Sequence, residues 1–407
     1  MNVRFLGTSD PRALEERFGA ALASDVAIEL GAAADGLVLA LDAALAVDVL
    51  ALVRAAGIVV AQVDGTTLLA GTRAAFERAA GRAAGAERAL LDVMLDAFVR
   101  AAQPASILRL RDRRLDVRDE ARVMGIINVT PDSFYERVAS VDAAVARARA
   151  MAGDGAAVVD LGGQSYAHWN ARVSAEEERA RVVPAVRAVV EAGVDVALSI
   201  DTFTAVVAEA ALAAGAHLIN DCSGLADPAL AGVVAAHDAG LVVMHLKGRL
   251  NVREPGTYVY RDVMAEIVEA LYARTERALA AGVARDAIAI DPGLEFGKEP
   301  ATDLEILDRF GELRALGYPI LFASSRKSFI GRIFDRPADE LLVPSLATAA
   351  IGIAAGARLL RVHDVAETAQ LARMMAATSP ERRRAIAFAD RMPGTPAGSA
   401  AVPASNS

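Results

Sequence analysis

Short apolar segments that stop abruptly at polar residues recur along the carboxyl-terminal two thirds of the chain. The first, Val123–Ile127, is followed by Asn128, Thr130, Asp132 and Ser133, as expected where a buried strand passes into a βα loop. Each later segment is also followed by polar residues and an alanine-rich stretch. The later candidate strands are Ala156–Leu161, Val194–Ile200, His217–Ile219, Leu241–Met244, Ala287–Ile290, Ile320–Ala323 and Leu359–Val362.

Helical periodicity fills the intervals between these strands, which indicates about eight βα units around a parallel sheet. A closed (β/α)8 TIM barrel accounts for that number within about 250 residues. A doubly wound open sheet usually has fewer strands and a glycine-rich phosphate fingerprint, which the sequence lacks. We therefore predict an α/β barrel over residues 121–380. The candidate helices are Val141–Ala152, Ala175–Ala192, Thr204–Ala214, Tyr260–Ala281 and Thr302–Leu316.

At 407 residues the chain is longer than a plain barrel, so a second unit is expected. Residues 1–120 predict a small α+β domain, joined to the barrel through the charged stretch Arg109–Arg122. Residues 392–407 are rich in Pro, Gly, Ala and Ser and predict a disordered tail. The amino-terminal elements are strands at Gly36–Leu41 and Ile58–Val63 and helical stretches at Ala43–Ala55 and Arg73–Ala102.

The formal net charge of −9 argues against nucleic acid or an anionic membrane surface as the main partner. The single cysteine, Cys222, excludes an intramolecular disulfide framework, and no Cys/His spacing indicates zinc. We interpret Cys222 as a buried thiol in preference to a nucleophile. The amino terminus lacks a signal-peptide core, and Asp42 and Asp48 interrupt the apolar stretch at 37–53. A soluble cytoplasmic protein is expected.

Three polar residues, Asp201, Asn220 and Asp291, end three different predicted strands. Functional residues of a barrel cluster at the carboxyl ends of its strands, so these side chains should converge. Buried carboxylates and amides must be paired, and a flat heterocycle with ring N–H donors and acceptors would pair them. The alternative for Asp201 and Asp291 is that each caps the following helix.

Basic residues follow the last two predicted strands, where barrels commonly bind phosphate. Arg361 and His363 share one face of a strand and are expected to grip one anion, together with Lys327. Arg326 is either part of that site or a solvated surface residue.

Two neighbouring residues after the fifth predicted strand have two interpretations each. His245 is a ligand or base, or more often a hydrogen-bonded structural residue. Met244 either stacks on an aromatic ligand or completes the core.

Taken together, these motifs resemble dihydropteroate synthase, over about residues 107–378 and in consistent order. The amino-terminal domain is similar to the extra domain of long-form synthases. The resemblance implies a transferase of folate biosynthesis that condenses 6-hydroxymethyl-7,8-dihydropterin pyrophosphate with 4-aminobenzoate to give dihydropteroate and pyrophosphate. The motifs are Met124–Phe134, Asp160–Gly163, Ser199–Thr202, Ile219–Asp221, Met244–His245, Asp291–Gly293, Phe296–Lys298, Ser325–Ser328 and Arg361–Asp364.

The resemblance also implies residue roles. Asp201 and Lys327 would be catalytic, and Ser328 would lie near the amine substrate. Asn128 would bind Mg²⁺, and the protein would form a homodimer. The pterin would be bound by Asp201, Asn220, Met244, Asp291 and Lys327, and the pyrophosphate by Asn128, Arg361 and His363.

Two loops depart from the family pattern. Ser133–Phe134 is followed by Tyr135–Val138 in place of a segment with a glycine pair, and Gln164–Asn170 replaces Glu-Ser-Thr-Arg-Pro-Gly. Ala167 cannot replace the lost guanidinium, and Arg172 or His168 is a candidate substitute. These loops shape the amine pocket in the family. Three interpretations follow: a synthase, a synthase-like paralogue with another arylamine or without synthase activity, and a pterin-binding methyltransferase module, which would not need the pyrophosphate site.

Overall fold

The computed structural model describes residues 3–5, 36–41, 45–63, 66–102, 105–129, 140–164, 173–250, 256 and 258–378. The predicted tail and most of the two divergent loops, with His168 and Arg172, lie outside these residues. The described chain forms an antiparallel sheet with helices, a short hairpin and a closed parallel barrel. The predicted α/β class, a TIM barrel with a small α+β unit before it, is confirmed.

Eight parallel strands close the barrel in chain order, and the last of them pairs with the first through Leu359 and Arg122. Each is short and almost wholly buried, because helices cover its outer face and the other strands its inner face. The strand predicted from Val194 begins only at Ala197. The strands are β7 (Arg122–Asn128), β8 (Ala156–Gly162), β9 (Ala197–Asp201), β10 (Leu218–Asp221), β11 (Gly240–Met244), β12 (Ile288–Asp291), β13 (Ile320–Phe322) and β14 (Ala357–Val362).

Helices surround the barrel and bury small apolar faces against it. None of the helices in the described ranges is long and apolar enough to cross a membrane. The barrel's helices are α4 (Val141–Gly153), α5 (Ala175–Glu191), α6 (Ala205–Ala213), α7 (Leu230–Ala236), α8 (Val263–Ala280), α9 (Pro300–Asp308), α10 (Ser328–Phe334), α11 (Leu342–Ala355) and α12 (Val365–Ala377).

The single helix predicted over Thr302–Leu316 is wrong in its second half. The α-helix ends at Asp308, and a 3₁₀ segment runs over Phe310–Leu316. Arg309 stands at the junction and pairs with Glu305, Glu312 and Asp262. The tighter segment buries Phe310 and Leu313, which helical periodicity alone does not distinguish from an α-helical face.

The amino-terminal unit is a four-stranded antiparallel sheet, and its described residues include three helices; numbered in chain order, the strands lie in the order 1-2-4-3. The strand Thr66–Thr72 of this sheet was not predicted from sequence. The stretch predicted as one helix over Arg73–Ala102 is divided at Ala83, whose backbone is extended. The elements are β1 (Val3–Phe5), β2 (Gly36–Leu41), α1 (Val47–Ala55), β3 (Val59–Val63), β4 (Thr66–Thr72), α2 (Arg73–Arg82) and α3 (Gly85–Ala102).

A hairpin closes the amino-terminal end of the barrel. Its strands β5 (Ile107–Leu110) and β6 (Arg113–Asp116) occupy part of the stretch predicted as a connection. Leu108 and Leu110 are fully buried and join the apolar core inside the barrel. A Cβ on Gly240 would lie 2.4 Å from Leu110 Cδ2, so the hairpin packs directly on the first residue of β11. The boundary between residues 120 and 121 stays a prediction.

The amino-terminal unit contacts the barrel through α3. Arg100 Nε donates to the Ala315 carbonyl at 3.1 Å, and Arg314 Nη2 donates to the Ala101 carbonyl at 2.7 Å. Gly317, at φ +74°, leaves room for the Arg100 stem, which a Cβ there would approach to 2.8 Å.

Replacing Arg100 by alanine should lower the free energy of unfolding by about 1–2 kcal/mol, because one hydrogen bond and the packed stem are lost. Urea denaturation measures the change. Arg82→Ala is the matched control, since the exposed Arg82 donates only within the amino-terminal unit, to the Ala55 carbonyl. Equal effects of the two variants would contradict this view of the contact.

Candidate active site

The lower interior of the barrel is apolar, with one inward-facing apolar residue from each strand. These residues are Met124, Val158, Ala197, Leu218, Val242, Ala289, Leu321 and Leu359. Side chains two and four residues further along a strand face the same way. Those positions hold Asp160, Asn220, Met244, Asp291 and Arg361, and then Asn128, Asp201, Ser325 and His363. The polar residues predicted from sequence therefore share the carboxyl end of one barrel interior.

Arg361 is held between two carboxylates that belong to other strands. Its Nε lies 2.6 Å from Asp160 Oδ2, and its Nη2 lies 2.7 Å from Asp201 Oδ2. Asp160 is fully buried, and Asp201 is nearly so. Two charge-assisted bonds through different guanidinium nitrogens fix both the position and the plane of Arg361.

Asp160 also orients the amide of Asn220. Asn220 Nδ2 donates to Asp160 Oδ2 at 3.1 Å, so the Asn220 carbonyl oxygen is directed away from that carboxylate. An inward amide with its donor already used presents an acceptor to a ligand. Asp160 stands in a motif noted from sequence, but it received no role there, because nothing in the sequence shows that it joins residues 60 and 201 positions away.

Burial raises the pKa of Asp201, and Arg361 opposes that rise. Burial alone would lower the pKa of Arg361, but Asp160 and Asp201 raise it above its ordinary value, so the guanidinium stays charged. Burial also raises the pKa of Asp291, and Lys327 counteracts it. The site thus holds carboxylates that are costly to ionise without a cation or a hydrogen-bonding ligand beside them.

Asp291 and Lys327 face each other across the loop that follows β12. Asp291 Oδ1 accepts a hydrogen bond from the Gly293 N–H at 2.6 Å, and Lys327 Nζ donates to the Leu294 carbonyl at 2.6 Å. The Lys327 ammonium is near enough to Asp291 to oppose the rise in its pKa that burial causes. A ligand with a ring N–H and a neighbouring acceptor would fit between them.

The loop after β12 depends on two glycines and a buried lysine. Gly293 and Gly297 both have φ +67°, and a Cβ on them would lie 2.0 Å from the His245 carbonyl oxygen and 1.9 Å from the Lys247 carbonyl oxygen. Lys298 Nζ bonds the Gly293 and Phe296 carbonyls and His245 Nδ1. His245 is therefore a structural residue, as one of its two interpretations held. Lys298 was noted in a sequence motif but received no role.

The alternatives left open for four other residues are also decided. Asp201 pairs with Arg361 and Asp291 closes a two-residue turn, so neither caps a helix. Arg326 is buried and binds Asp364 through Nε and Nη2, which removes it both from the surface and from an anion site. Cys222 is buried.

The remaining predicted residues lie at the same end of the barrel. His363 is buried at the end of β14, with its Nδ1 3.2 Å from Ser325 Oγ. Met244 is buried at the end of β11, where its side chain faces the interior above Val242. Ser328 begins α10 beside Lys327, but its hydroxyl donates to Glu295 Oε1 at 2.7 Å. Glu295 was not singled out from sequence.

Asn128 is the predicted metal residue. A Cβ on Gly162 would lie 3.4 Å from Asn128 Oδ1, so this oxygen stands at the strand end beside β8. In the described part of the chain, no group of three His, Cys, Asp or Glu residues is placed to hold a metal ion. Mg²⁺ often takes only one or two protein oxygens and completes its shell with water and substrate phosphates. The Asn128 side chain offers an oxygen of this kind, and its role as a metal ligand stays a prediction.

One divergent loop is anchored by a described residue. Gln164 is buried, and its Oε1 accepts a hydrogen bond from the Val173 N–H at 3.0 Å. The amide thereby joins the two ends of the segment 165–172. The family pattern has glutamate at this position, so this chain makes the bond without a negative charge.

Comparison with known proteins agrees with the geometry. The model of the family described as "Pterin binding enzyme" matches residues 124–363. Dihydropteroate synthase of Bacillus subtilis is 37% identical over 272 residues, which cover 66% of this chain and 92% of that protein.

A second relative is described as inactive. "Inactive dihydropteroate synthase 2" of Mycobacterium tuberculosis is 42% identical over 265 residues, which cover 63% of this chain and 83% of that protein. Among solved structures, Thermus thermophilus dihydropteroate synthase in complex with 4-aminobenzoate is 38% identical and has a TM-score of 0.61, with 67% of this chain and all of that chain covered.

The buried His363 provides a prediction about pH. Burial lowers its pKa to about 3, whereas an unfolded histidine titrates near 6.5. Because the folded pKa is depressed, neutral His363 favours the fold fully above about pH 6.5, and this contribution is lost as the pH falls toward 3. Wild type should therefore lose more stability than His363→Asn between pH 7 and pH 5, by up to about 2 kcal/mol. Urea denaturation at both pH values measures this difference, and a difference that does not change with pH would contradict the assignment.

Proposed function

The chain belongs to the family of pterin-binding enzymes, and from that premise we propose that it acts as a dihydropteroate synthase. The reaction is the transfer of the pterin methylene group from 6-hydroxymethyl-7,8-dihydropterin pyrophosphate to the nitrogen of 4-aminobenzoate, a step of folate biosynthesis. The observation that carries the proposal is the inner layer in which Arg361 lies between Asp160 and Asp201, beside Asn220. It combines a cation that can bind an anion with groups that can form hydrogen bonds to a flat heterocycle.

The pterin would take the inner position. Asp201, Asn220, Asp291 and Lys327 offer acceptors and a donor around the barrel axis, and the Met244 side chain supplies an apolar surface for the ring. Each of these groups is buried or half-buried, so a ring that pairs them replaces the water they lose. Asp201 and Lys327 are the proposed catalytic residues.

The pyrophosphate would lie above the pterin, against Arg361 and His363. Arg361 would donate to phosphate oxygens through guanidinium N–H groups other than those that bond Asp160 and Asp201. Positive charge that develops on the pterin as the C–O bond breaks would be stabilised by the Asp201 carboxylate.

The amine would attack from the open side of the barrel, near Ser328. The C–O bond breaks with its electron pair on the pyrophosphate, the C–N bond forms, and the nitrogen releases one proton to water or to the leaving group. No covalent intermediate with the enzyme is required. When bound, Mg²⁺ would neutralise charge on the leaving pyrophosphate, with Asn128 as its proposed protein ligand.

A second function is favoured by one comparison and by the sequence of the loops. The chain is 42% identical to a relative described as inactive. It also departs from the synthase pattern at Tyr135–Val138 and Gln164–Asn170, the loops that shape the amine pocket in the family. A synthase-like paralogue, with another arylamine or without turnover, is the alternative. A methyltransferase module is disfavoured because it would not use Arg361 and His363.

We also propose a cytoplasmic homodimer. The outer face of α11 exposes Val343, Ala347 and Ile351 at helical spacing, with Val343 74% and Ile351 48% exposed. An apolar stripe of this kind is typical of a face that packs against another protein. A sedimentation coefficient that fits a monomer at micromolar concentration would contradict the dimer.

Pyrophosphate release from the pterin substrate should depend on 4-aminobenzoate and fall when Mg²⁺ is chelated, because amine attack and charge neutralisation are both required. A coupled phosphate assay measures the release, and the reaction without amine is its control. Binding of pterin pyrophosphate without amine-dependent release would favour the paralogue.

Arg361→Lys should reduce kcat/KM for the pterin substrate by about 100-fold or more. Lysine has a single side-chain nitrogen, so it cannot bond Asp160 and an anion through different nitrogens as the planar guanidinium can. The matched control is Arg358→Lys on the opposite face of the same strand, where Arg358 donates to the Ala357 carbonyl. If the two variants lose activity equally, Arg361 does not serve the anion.

A further inference from the structure

The side-chain carboxylate of Glu295 accepts two hydrogen bonds from groups next to the proposed amine site. Ser328 Oγ and the Phe329 N–H both donate to Glu295 Oε1, at 2.7 and 2.8 Å. Ser328 is exposed, so these donors border solvent at the mouth of the barrel. Their geometry is that of a carboxylate-binding pair, because a carboxylate is bound there.

The position of this carboxylate is set by backbone geometry. Glu295 has φ +70°, a left-handed conformation that is unfavourable for residues other than glycine. It lies between Gly293 and Gly297, where the close approach of neighbouring carbonyls excludes any side chain. Lys298 ties the same loop together from within. Glu295 is therefore held against Ser328 by a fixed loop.

This loop is also joined to the proposed pterin site. Lys327, which immediately precedes Ser328, donates to the carbonyl of Leu294, which immediately precedes Glu295. The ammonium that faces Asp291 and the carboxylate that binds Ser328 are therefore neighbours at one edge of the mouth. An amine that reaches the pterin past Ser328 passes Glu295.

A negatively charged substrate group would meet two obstacles at this edge. The Ser328 and Phe329 donors are already used, and a second carboxylate in contact with the first is repelled. A carboxylate only accepts hydrogen bonds, so an amide or hydroxyl on the substrate would instead be a favourable partner for Glu295.

We infer that Glu295 determines the specificity of the amine site and selects a neutral arylamine, whose end remote from the amino group donates hydrogen bonds, over one that ends in a carboxylate. The inference rests on the proposed function, because it takes Ser328 to border the amine. Of the two functions proposed above, it favours the paralogue that uses another arylamine.

The test compares 4-aminobenzoate with 4-aminobenzamide as partners in pyrophosphate release. Wild type should prefer the amide, and Glu295→Gly, which suits the left-handed backbone, should shift the preference toward the acid by about tenfold or more. Glu295→Gln keeps an oxygen acceptor for Ser328 but removes the negative charge. It therefore distinguishes repulsion of a substrate carboxylate from occupation of the Ser328 and Phe329 donors. Glu209→Gln is the control, since Glu209 pairs with His237 on the outer helical layer.

A binding measurement keeps the inference testable without turnover. Calorimetry would compare pteroate with its 4-carboxamide in wild type and both Glu295 variants, with pterin pyrophosphate as a separate ligand. Tighter binding of pteroate to Glu295→Gly, together with weaker binding of the amide, supports the inference even if no variant releases pyrophosphate, in which case the proposed function alone fails. An acid-to-amide preference that is the same in wild type and Glu295→Gly overturns the inference and leaves the proposed function standing. Failure of both pteroate ligands to bind any variant overturns it as well.

Discussion

The bond of Arg361 to two buried carboxylates is the interaction on which the rest of the site depends. A guanidinium inside a barrel is tolerable only with charged partners, and carboxylates as buried as Asp160 and Asp201 are tolerable only with a cation or several donors. The guanidinium and the two carboxylates therefore compensate one another for the cost of burying their charges. Asn220 is added to this group through Asp160, so one carboxylate orients both a cation for phosphate and an acceptor for a heterocycle.

The barrel supplies the geometry that this cluster requires. Each of the eight strands contributes one apolar residue to the lower interior, and the period of two places the next inward residues above it. The hairpin that includes Leu108 and Leu110 closes the other end, so polar groups are admitted only where the strands end. Closure of the barrel thus places the polar residues at the carboxyl ends of the strands and the apolar packing at their amino ends.

Much of this arrangement could be predicted from the sequence, because the strand ends of a barrel meet by symmetry. The convergence of Asp201, Asn220 and Asp291 needs only the strand assignment. Pairing could not be predicted in the same way, since Arg361 and Asp201 are 160 residues apart and the sequence allows each of them to face solvent or a ligand. Arg326 illustrates the limit, because its neighbours in sequence indicate an anion site, whereas Asp364, 38 residues later, holds it in the structure. The 3₁₀ segment after Asp308 could not be predicted from periodicity, because burial of Phe310 and Leu313 fits an α-helical face equally well.

The loop Gly293–Gly297 shows how one backbone shape serves two purposes. Its two glycines are required by carbonyls that come within 2.0 Å of any Cβ, whereas at the intermediate left-handed position a side chain has room. A glycine there would leave Ser328 and Phe329 N–H open to a ligand, and glutamate closes them from within the protein. Because the strain at φ +70° is local and Arg361, Asp201 and Asn220 lie on other strands, such an exchange can alter recognition of the amine without disturbing those three residues. The amine half of the site can thus change while Arg361, Asp201 and Asn220 stay in place, and a barrel that retains these contacts can still differ from its relatives in the partner that it accepts.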